Sequence, residues 1–508
     1  MKIFSASQIR NWDSYTIEYE PVKSVDLMER AATACFNWIS TNFNKNIGFK
    51  IFCGTGNNGG DGLAIARLLA QKKYHVTVFI LKGRSSGSAD FVTNLKRLQK
   101  TSAEIIFIED KNSFPSLSND DVIIDALFGT GLNKKAVGLV ADLIKYINNN
   151  SFKVISIDVP SGMYVDKTSK NNPVIKATFT LTFQNIKLAF LIPENAPHFG
   201  KVILLDIGLS EKFEKDQSTP FEFIDEEIIQ AIYRPRDAFS NKGNFGYACL
   251  LAGSYGMMGA AVLASRACLR SGVGKLTGII CEAGYTILQT AVPEAMCKVS
   301  GAEFIKDIED VGGFDVIGIG PGIGKYPSHK NLLQKLFSEF KKPVVIDADA
   351  LNVLSENQSL YQSIPKESII TPHPKEFERL FGKTGSYLEL IDLALLKAKE
   401  LDIFIVLKGH YSFIATPQGK GYFNSTGNAG MATAGTGDVL TGMITGLLAQ
   451  KYAPLSACIL GVYLHGLAGD IAAKDISQEA LVADDIIQNL GNAFKEISSK
   501  LYVKKNSL

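Results

Sequence analysis

Twice in this chain a short apolar run leads straight into a glycine-rich turn and then a helix-forming stretch. Phe49–Cys53 precedes Gly54–Gly62, and Tyr247–Ala252 precedes Gly253–Ala260. Such a succession buries its apolar strands by laying helices over a mostly parallel sheet. The first series continues with strands His75–Leu81, Glu104–Ile108, Val122–Ala126, Phe152–Asp158, Thr178–Phe183 and Val202–Asp206. Its helices are predicted at Leu63–Lys72, near Ala89–Lys100 and near Val137–Asn149. Two more precede it, Gln8–Tyr19 with Ser7 as cap and Val25–Phe43. The second series has strands Leu276–Cys281, Val316–Gly320, Val344–Asp347, Ser368–Thr371 and Phe404–Leu407, with helices Ala261–Arg270, near Ser328–Phe340 and near Leu388–Leu401. Between Ser210 and Asn244 the pattern breaks, charge rises, and Pro220 and Pro235 appear. A chain of 508 residues is too long for one ordinary core, so we expect two α/β domains, 1–220 and 221–508.

Bulk properties remove several function classes. A net charge of +2 gives no nucleic-acid footprint. Seven scattered cysteines without a C-x-x-C read as reduced core residues, neither disulfides nor a zinc site. Met1–Trp12 has no apolar signal core. The apolar region Met443–Ala473 is interrupted by Lys451 and Pro454 and carries His465 and Asp470, which describes two buried helices and no membrane span. A cytoplasmic location is the expectation.

Chemistry concentrates in Asn428–Gly442. Gly435-Thr436-Gly437-Asp438 stands directly before the helix formers Val439–Gln450. A glycine turn opening a helix points backbone N–H groups at one spot, which suits a phosphate. A carboxylate there repels the anion, unless Asp438 takes the proton from a hydroxyl about to be phosphorylated. A plain helix N-terminus with Asp in its first turn is the bland alternative.

The first glycine loop, Gly54-Thr55-Gly56-Asn57-Asn58-Gly59-Gly60-Asp61-Gly62, contains G-x-G-x-x-G and alone suggests a dinucleotide-binding dehydrogenase. Against that, the next strand ends at Lys82-Gly83-Arg84 without a ribose-binding acid, and Asp61 would sit against the pyrophosphate. Asp125, followed by Gly129-Thr130-Gly131, and Asp158-Val159-Pro160-Ser161-Gly162 both close strands. In a parallel sheet Asn58, Asp125, Asp158 and Ser161 can therefore converge as an oxygen site of low charge, suited to a monovalent ion, or else cap helices.

Taken together these strings resemble a known family. The first-half motifs are similar to the NAD(P)HX epimerase, or YjeF N-terminal, family. Gly320-Pro-Gly-Ile-Gly, Asp347-Ala-Asp-Ala-Leu-Asn, Thr371-Pro-His-Pro-Lys-Glu, Leu407-Lys-Gly and Ala434-Gly-Thr-Gly-Asp-Val-Leu resemble ribokinase-like NAD(P)HX dehydratases. Their order matches the fused NAD(P)H-hydrate repair enzymes. The resemblance implies an N-terminal Rossmann-like three-layer sandwich and a C-terminal ribokinase-like α/β domain. It implies a substrate, NADHX or NADPHX, hydrated at C6 of the nicotinamide ring. One half would interconvert the R and S hydrates. The other would phosphorylate the S hydroxyl from ADP or ATP with Mg2+ and let phosphate leave.

The resemblance assigns residues as well. Asn57, Asn58, Gly59, Gly60, Asp61, Gly129, Thr130, Gly131, Leu132, Asn133, Lys134, Lys135 and Asp158 match the first hydrate site. Asn58, Asp125 and Ser161 match a potassium site. Asp158 is the acid/base candidate, with Lys187 behind it. Ala260, Gly322, His373 and Asp438 match the second hydrate site, with Asp438 as base. Lys408, Gly409, His410, Tyr411, Ser412, Gly435, Thr436 and Gly437 match the donor-nucleotide site. Asp347 and Asp349 either hold magnesium through water or cap the next helix, and His465 reads as a core histidine. The rival reading is a ribokinase-like small-molecule kinase with an accessory binding domain. The expected partners are small molecules and further copies of the chain in a symmetric homo-oligomer.

Overall fold

A computed structural model describes residues 1–83, 87–151 and 153–505, so Arg84 and Phe152 lie outside the described residues. The chain divides into two compact units, Lys2–Thr219 and Pro220 onward.

The first unit is built on seven strands: β1 (Gly48–Cys53), β2 (His75–Leu81), β3 (Glu104–Ile108), β4 (Val122–Ala126), β5 (Val154–Ile157), β6 (Phe179–Phe183) and β7 (Lys201–Leu205). All neighbours are parallel, in the order β3-β2-β1-β4-β5-β6-β7. Because inward and outward side chains alternate, both faces are apolar and need cover. Helices α1 (Ala6–Tyr19), α2 (Ser24–Asn42), α3 (Asn57–Gln71), α4 (Ala89–Leu98) and α5 (Leu139–Asn150) follow that demand. Phe49, Ile51 and Cys53 pack with Ala32, Cys35 and Ile39 of α2 and Leu63–Ala66 of α3. Phe52 points the other way, into Leu143, Ile144 and Ile147 of α5. The strand order reverses between β1 and β4, and the loops leaving these strands open a crevice at their carboxyl ends.

Two local expectations need correction here. Helix α1 is capped by Ser5, whose Oγ accepts from the Gln8 amide while the Gln8 side chain returns the bond, so the cap is not Ser7. Helix α3 starts at Asn57, not Leu63, and the glycines expected in a loop form its first turns. A Cβ at Gly59 would lie 1.8 Å from the Gly54 carbonyl oxygen, so glycine is what lets the helix begin against the end of β1.

The second unit repeats the plan on β8 (Phe221–Phe223), β9 (Tyr247–Leu251), β10 (Lys275–Ile280), β11 (Met296–Val299), β12 (Val316–Ile319), β13 (Val344–Ile346), β14 (Ile369–Ile370), β15 (Phe404–Leu407), β16 (Phe413–Ala415) and β17 (Gly421–Phe423). Their order is β8-β17-β16-β15-β14-β13-β12-β9-β10-β11. The β15–β16 and β16–β17 pairs are antiparallel. The sequence reading lacked β8, β11 and this hairpin, whose strands are only three or four residues long. It also lacked the helix Pro374–Phe381 and gave no range to the helix Ala348–Glu356.

Met443–Ala473 falls in two helices, Thr436–Ala449 and Pro454–Ile476. The second is long and apolar enough to cross a membrane by length and composition, yet 67% of its apolar window is buried within the fold. Its apolar surface packs with Met258–Arg270 and Ala483–Lys505 into one core, which accounts for its composition. All seven cysteines are free and six are buried.

Candidate active sites

In the first unit the crevice is a cavity of about 760 Å³. The loops that form it touch directly, since a Cβ on Gly54 would lie 2.1 Å from the Leu127 carbonyl oxygen. Asn57, Asn58, Asp61, Gly129–Lys134 and Asp158 line it. Gly59 and Gly60 do not; they are buried in α3 and act by packing against Gly54 and Met28. Lys135 is exposed and also off the lining.

Asp158 follows β5 with φ of 66°, a left-handed conformation that costs a non-glycine residue about 1–2 kcal/mol. Its Oδ2 accepts the Thr130 N–H at 3.2 Å, and its Oδ1 pairs with Lys187 Nζ at 3.1 Å. Lys187 is 1% exposed and donates also to the Phe183 carbonyl at 2.6 Å. An ammonium buried this deeply needs such partners, which fixes it as a rigid support for Asp158.

Beneath the cavity Asp125 is fully buried. Ser156 Oγ and the Ser161 N–H donate to one oxygen, at 2.7 and 2.8 Å, and Ser161 Oγ donates to the other. Burial lifts its carboxyl above the ordinary value while these bonds oppose the lift. Both side-chain polar atoms of Asn58, which adjoins Gly129 together with Asp158 Oδ2, are buried without a partner among the described residues. An unpartnered amide oxygen and a buried carboxylate bonded to hydroxyl and backbone N–H groups are donors that suit a monovalent ion bound by oxygen.

Sequence reasoning missed Asp13 and gave Lys187 only a supporting mention, yet both line this cavity. Ile9, Asp13 and Ile17 recur every four residues along α1, so an acid stands alone in an apolar stripe. That spacing is the signal that could have found Asp13.

In the second unit the order reverses between β9 and β12, and the loops after those strands meet. Gly253 N–H donates to the Pro321 carbonyl and Ser254 Oγ to the Gly322 carbonyl, both at 2.8 Å. Gly322 has φ of 62°, and a Cβ there would lie 2.9 Å from that of Ala260, so the two expected hydrate-contacting residues are neighbours.

Gly435, with φ of 90°, starts the helix Thr436–Ala449, and no side chain caps its first-turn N–H groups. They stay available to an anion. Lys408 Nζ stands where a Cβ on Gly437 would be 3.4 Å away, so its charge adjoins that turn. It pairs with Asp347 Oδ1 at 2.8 Å, while Thr441 Oγ1 donates to Asp347 Oδ2 at 2.6 Å. Asp347, 1% exposed, therefore does not cap its helix through the side chain; both oxygens serve this network. Asp349 accepts the Gly324 N–H at 2.9 Å.

Asp438 is in the first helical turn. Burial first, and the Asp347 carboxylate second, push its carboxyl to about 7, with Lys408 opposing. His373 caps the helix Pro374–Phe381: its Nδ1 accepts the N–H groups of Lys375 and Glu376 at 3.1 and 3.3 Å. The proton is then left on Nε2, 3.5 Å from Glu376 Oε1. Burial holds the imidazole below its usual value against the pull of Glu376. His465 Nε2 meets the Thr436 carbonyl at 3.0 Å, so this core histidine supports the glycine turn. In the turn Lys408–Ser412, Ser412 Oγ donates to the Gly409 carbonyl at 3.2 Å and His410 packs edge-on to Tyr411. Glu376 and Thr441, absent from the expected set, complete the network.

Comparison with known proteins adds the following. A family model described as YjeF-related protein N-terminus matches residues 24–189, and one described as NAD(P)H-hydrate dehydratase matches 248–492. The chain is 33% identical over 519 residues to a bifunctional NAD(P)H-hydrate repair enzyme of Moorella thermoacetica, covering 99% of this chain and 98% of that one. It is 30% identical to the Escherichia coli enzyme of the same description, over 96% and 93% of the two chains. A crystal structure of the Bacillus subtilis ADP/ATP-dependent NAD(P)H-hydrate dehydratase, co-crystallised with ATP/Mg2+, aligns at 35% identity over 54% of this chain and 98% of that one, with a TM-score of 0.49.

Proposed function

We infer how two crevices divide one repair from a single premise: this chain belongs to the family of bifunctional NAD(P)H-hydrate repair enzymes. Its activities are epimerisation of R- and S-NAD(P)HX and donor-dependent dehydration of the S hydrate to NAD(P)H. The rival reading, a small-molecule kinase with an accessory binding domain, is set aside, because relatives matched along nearly their whole length are described as bifunctional NAD(P)H-hydrate repair enzymes.

Dehydration belongs to the second crevice. Hydroxide is a poor leaving group and phosphate a good one. Asp438 takes the C6 hydroxyl proton as that oxygen attacks the donor's terminal phosphorus. The N–H groups of the Gly435–Gly437 turn and the Lys408 ammonium stabilise charge on the phosphoryl group in flight. The ring nitrogen lone pair then expels phosphate, and loss of the C5 proton restores the dihydropyridine. Ala260, Gly322 and His373 border the hydrate. Lys408–Ser412 and Gly435–Gly437 hold the donor, ADP or ATP. Magnesium would come with the donor phosphates, and Asp347, which already accepts from Lys408 and Thr441, would hold it through water. The observation that carries this reading is a half-buried carboxyl poised at about 7 beside an uncapped helix N-terminus and a lysine.

Epimerisation belongs to the first crevice, with Asp158 as acid/base held by Lys187. Asn58, Asp125 and Ser161 would hold potassium, which would supply positive charge to the crevice without entering the chemistry. The Gly129–Lys134 loop and Asn57–Asp61 border the hydrate.

The test is incubation of purified chain with separated hydrate epimers. Without donor, R and S should interconvert. With ADP or ATP, both should return fully to reduced nucleotide with one phosphate released per molecule. Accumulation of a stable phosphorylated nucleotide would end the dehydratase assignment.

A further inference from the structure

Asp13 stands outside every motif read from the sequence, yet it faces the first cavity from α1. Buried Trp12 anchors the helix there, its Nε1 donating to the Ser210 carbonyl at 2.8 Å. Ile9 and Ile17, one turn to either side of Asp13 on the same face, also line the cavity. Charged groups facing the space are Arg10 of the same helix, Asp61 of α3, Asp90 of α4, Lys134 of the glycine loop, and the Asp158–Lys187 pair. We propose that Asp13 is the second acid/base group of this cavity, working with Asp158 on the C6 carbinol; the proposal rests on assigning epimerisation to this crevice.

The chemistry demands two such groups. One C6–O bond must break and another form on the opposite ring face. A protonated carboxyl gives its proton to the departing hydroxyl, which leaves as water while the N1 lone pair forms a C6=N1 iminium. A water on the other face then makes the new C6–O bond and gives its spare proton to a carboxylate. Nothing is oxidised or reduced, and the proton lost by one carboxyl is gained by the other. A single salt-bridged carboxylate fills only one of these roles.

Asp13 fits the other. Burial, reinforced by the Asp158 carboxylate and opposed by Lys187, pushes its carboxyl to about 7. A proton is thus available there near neutrality, while Asp158 is tied to an ammonium. Asp61 also lines the cavity and is raised by burial, by Asp158 and by Asp13, but it belongs to the first turns of α3, which carry Asn58 of the ion site, whereas Asp13 faces the cavity from the separate helix α1.

The experiment follows R-to-S conversion of purified R-NADHX without donor, across pH, for parent, Asp13→Asn, Asp13→Glu and Asp61→Asn. Donor-dependent recovery from the S hydrate and the thermal unfolding profile report that each chain is folded. Asp13→Asn should lower kcat about 10²–10⁴-fold with KM nearly constant. The parent rate should decline above about pH 7 as Asp13 loses its proton, and the residual rate of the variant should lack that decline. Asp13→Glu should restore part of kcat, with the decline moved along the pH axis.

A kcat of Asp13→Asn within about threefold of the parent, a loss confined to KM, or removal of the decline by Asp61→Asn instead would overturn the proposal. If Asp13→Asn does not fold, a decline left unmoved in Asp13→Glu does the same. A parent that does not speed R/S conversion at all would remove the epimerase assignment itself, a distinguishable outcome.

Discussion

Replacing Asp438 by Asn keeps the shape of the side chain and removes its charge and basicity, so rate and stability should move in opposite directions. In the fold its carboxyl is pushed from 3.8 to about 7, by burial and then by Asp347. At about 1.4 kcal/mol per pH unit, that difference is worth about 4 kcal/mol. Partial solvent contact reduces it to about 2 kcal/mol. The folded chain holds this proton more tightly than the unfolded chain does, so stability is lost as pH climbs from about 4 to about 7. An amide escapes that loss. At about pH 8, Asp438→Asn should therefore raise the unfolding midpoint of the second unit by several degrees, and the gain should vanish near pH 4.

Dehydration should fall about 10²–10⁴-fold, the usual contribution of a general base. In the parent it should climb with pH and level off above about 7, with roughly one-tenth of the plateau rate one pH unit lower. The assay is return of reduced-nucleotide absorbance from the S hydrate with saturating ATP. A variant that dehydrates within about tenfold of the parent, or that melts lower at alkaline pH, would refute the reasoning.

Two further outcomes are expected. Asp125→Ala should slow epimerisation and abolish its potassium dependence, because it removes a fully buried carboxylate assigned to the same ion site as the unpartnered Asn58 amide; identical turnover in sodium and potassium would remove the ion site. Lys408→Met leaves Asp347, 1% exposed, without its cation. It should destabilise the second unit by about 2–3 kcal/mol and raise KM for the donor, as measured by thermal unfolding and initial rates.

Much of the architecture is legible along the chain because its cause is local. Apolar strands such as Ile51–Cys53 and Val316–Ile319 alternate with helical periodicity, and that pattern admits a helix-covered parallel sheet. What failed was short or context-bound. Three- and four-residue strands such as Met296–Val299 and Phe413–Ala415 carry too little periodicity to register. The onset of α3 depends on a helix passing over the Gly54 carbonyl, which no propensity describes.

The same division runs through the candidate sites. Sequence alone determined that Asp438 stands at a glycine-opened helix start and that Asn58, Asp125, Asp158 and Ser161 fall at or just beyond strand ends, since each position follows from its neighbours in the chain. Only tertiary structure decided that Asp347 is bound to Lys408 and Thr441, that Lys187 is buried under Asp158, and that Asp13 faces the same cavity. Those pairings join residues tens of positions apart, and their consequence, a carboxyl that keeps its proton near neutrality, comes from burial and neighbouring charge, which exist only once the chain has folded.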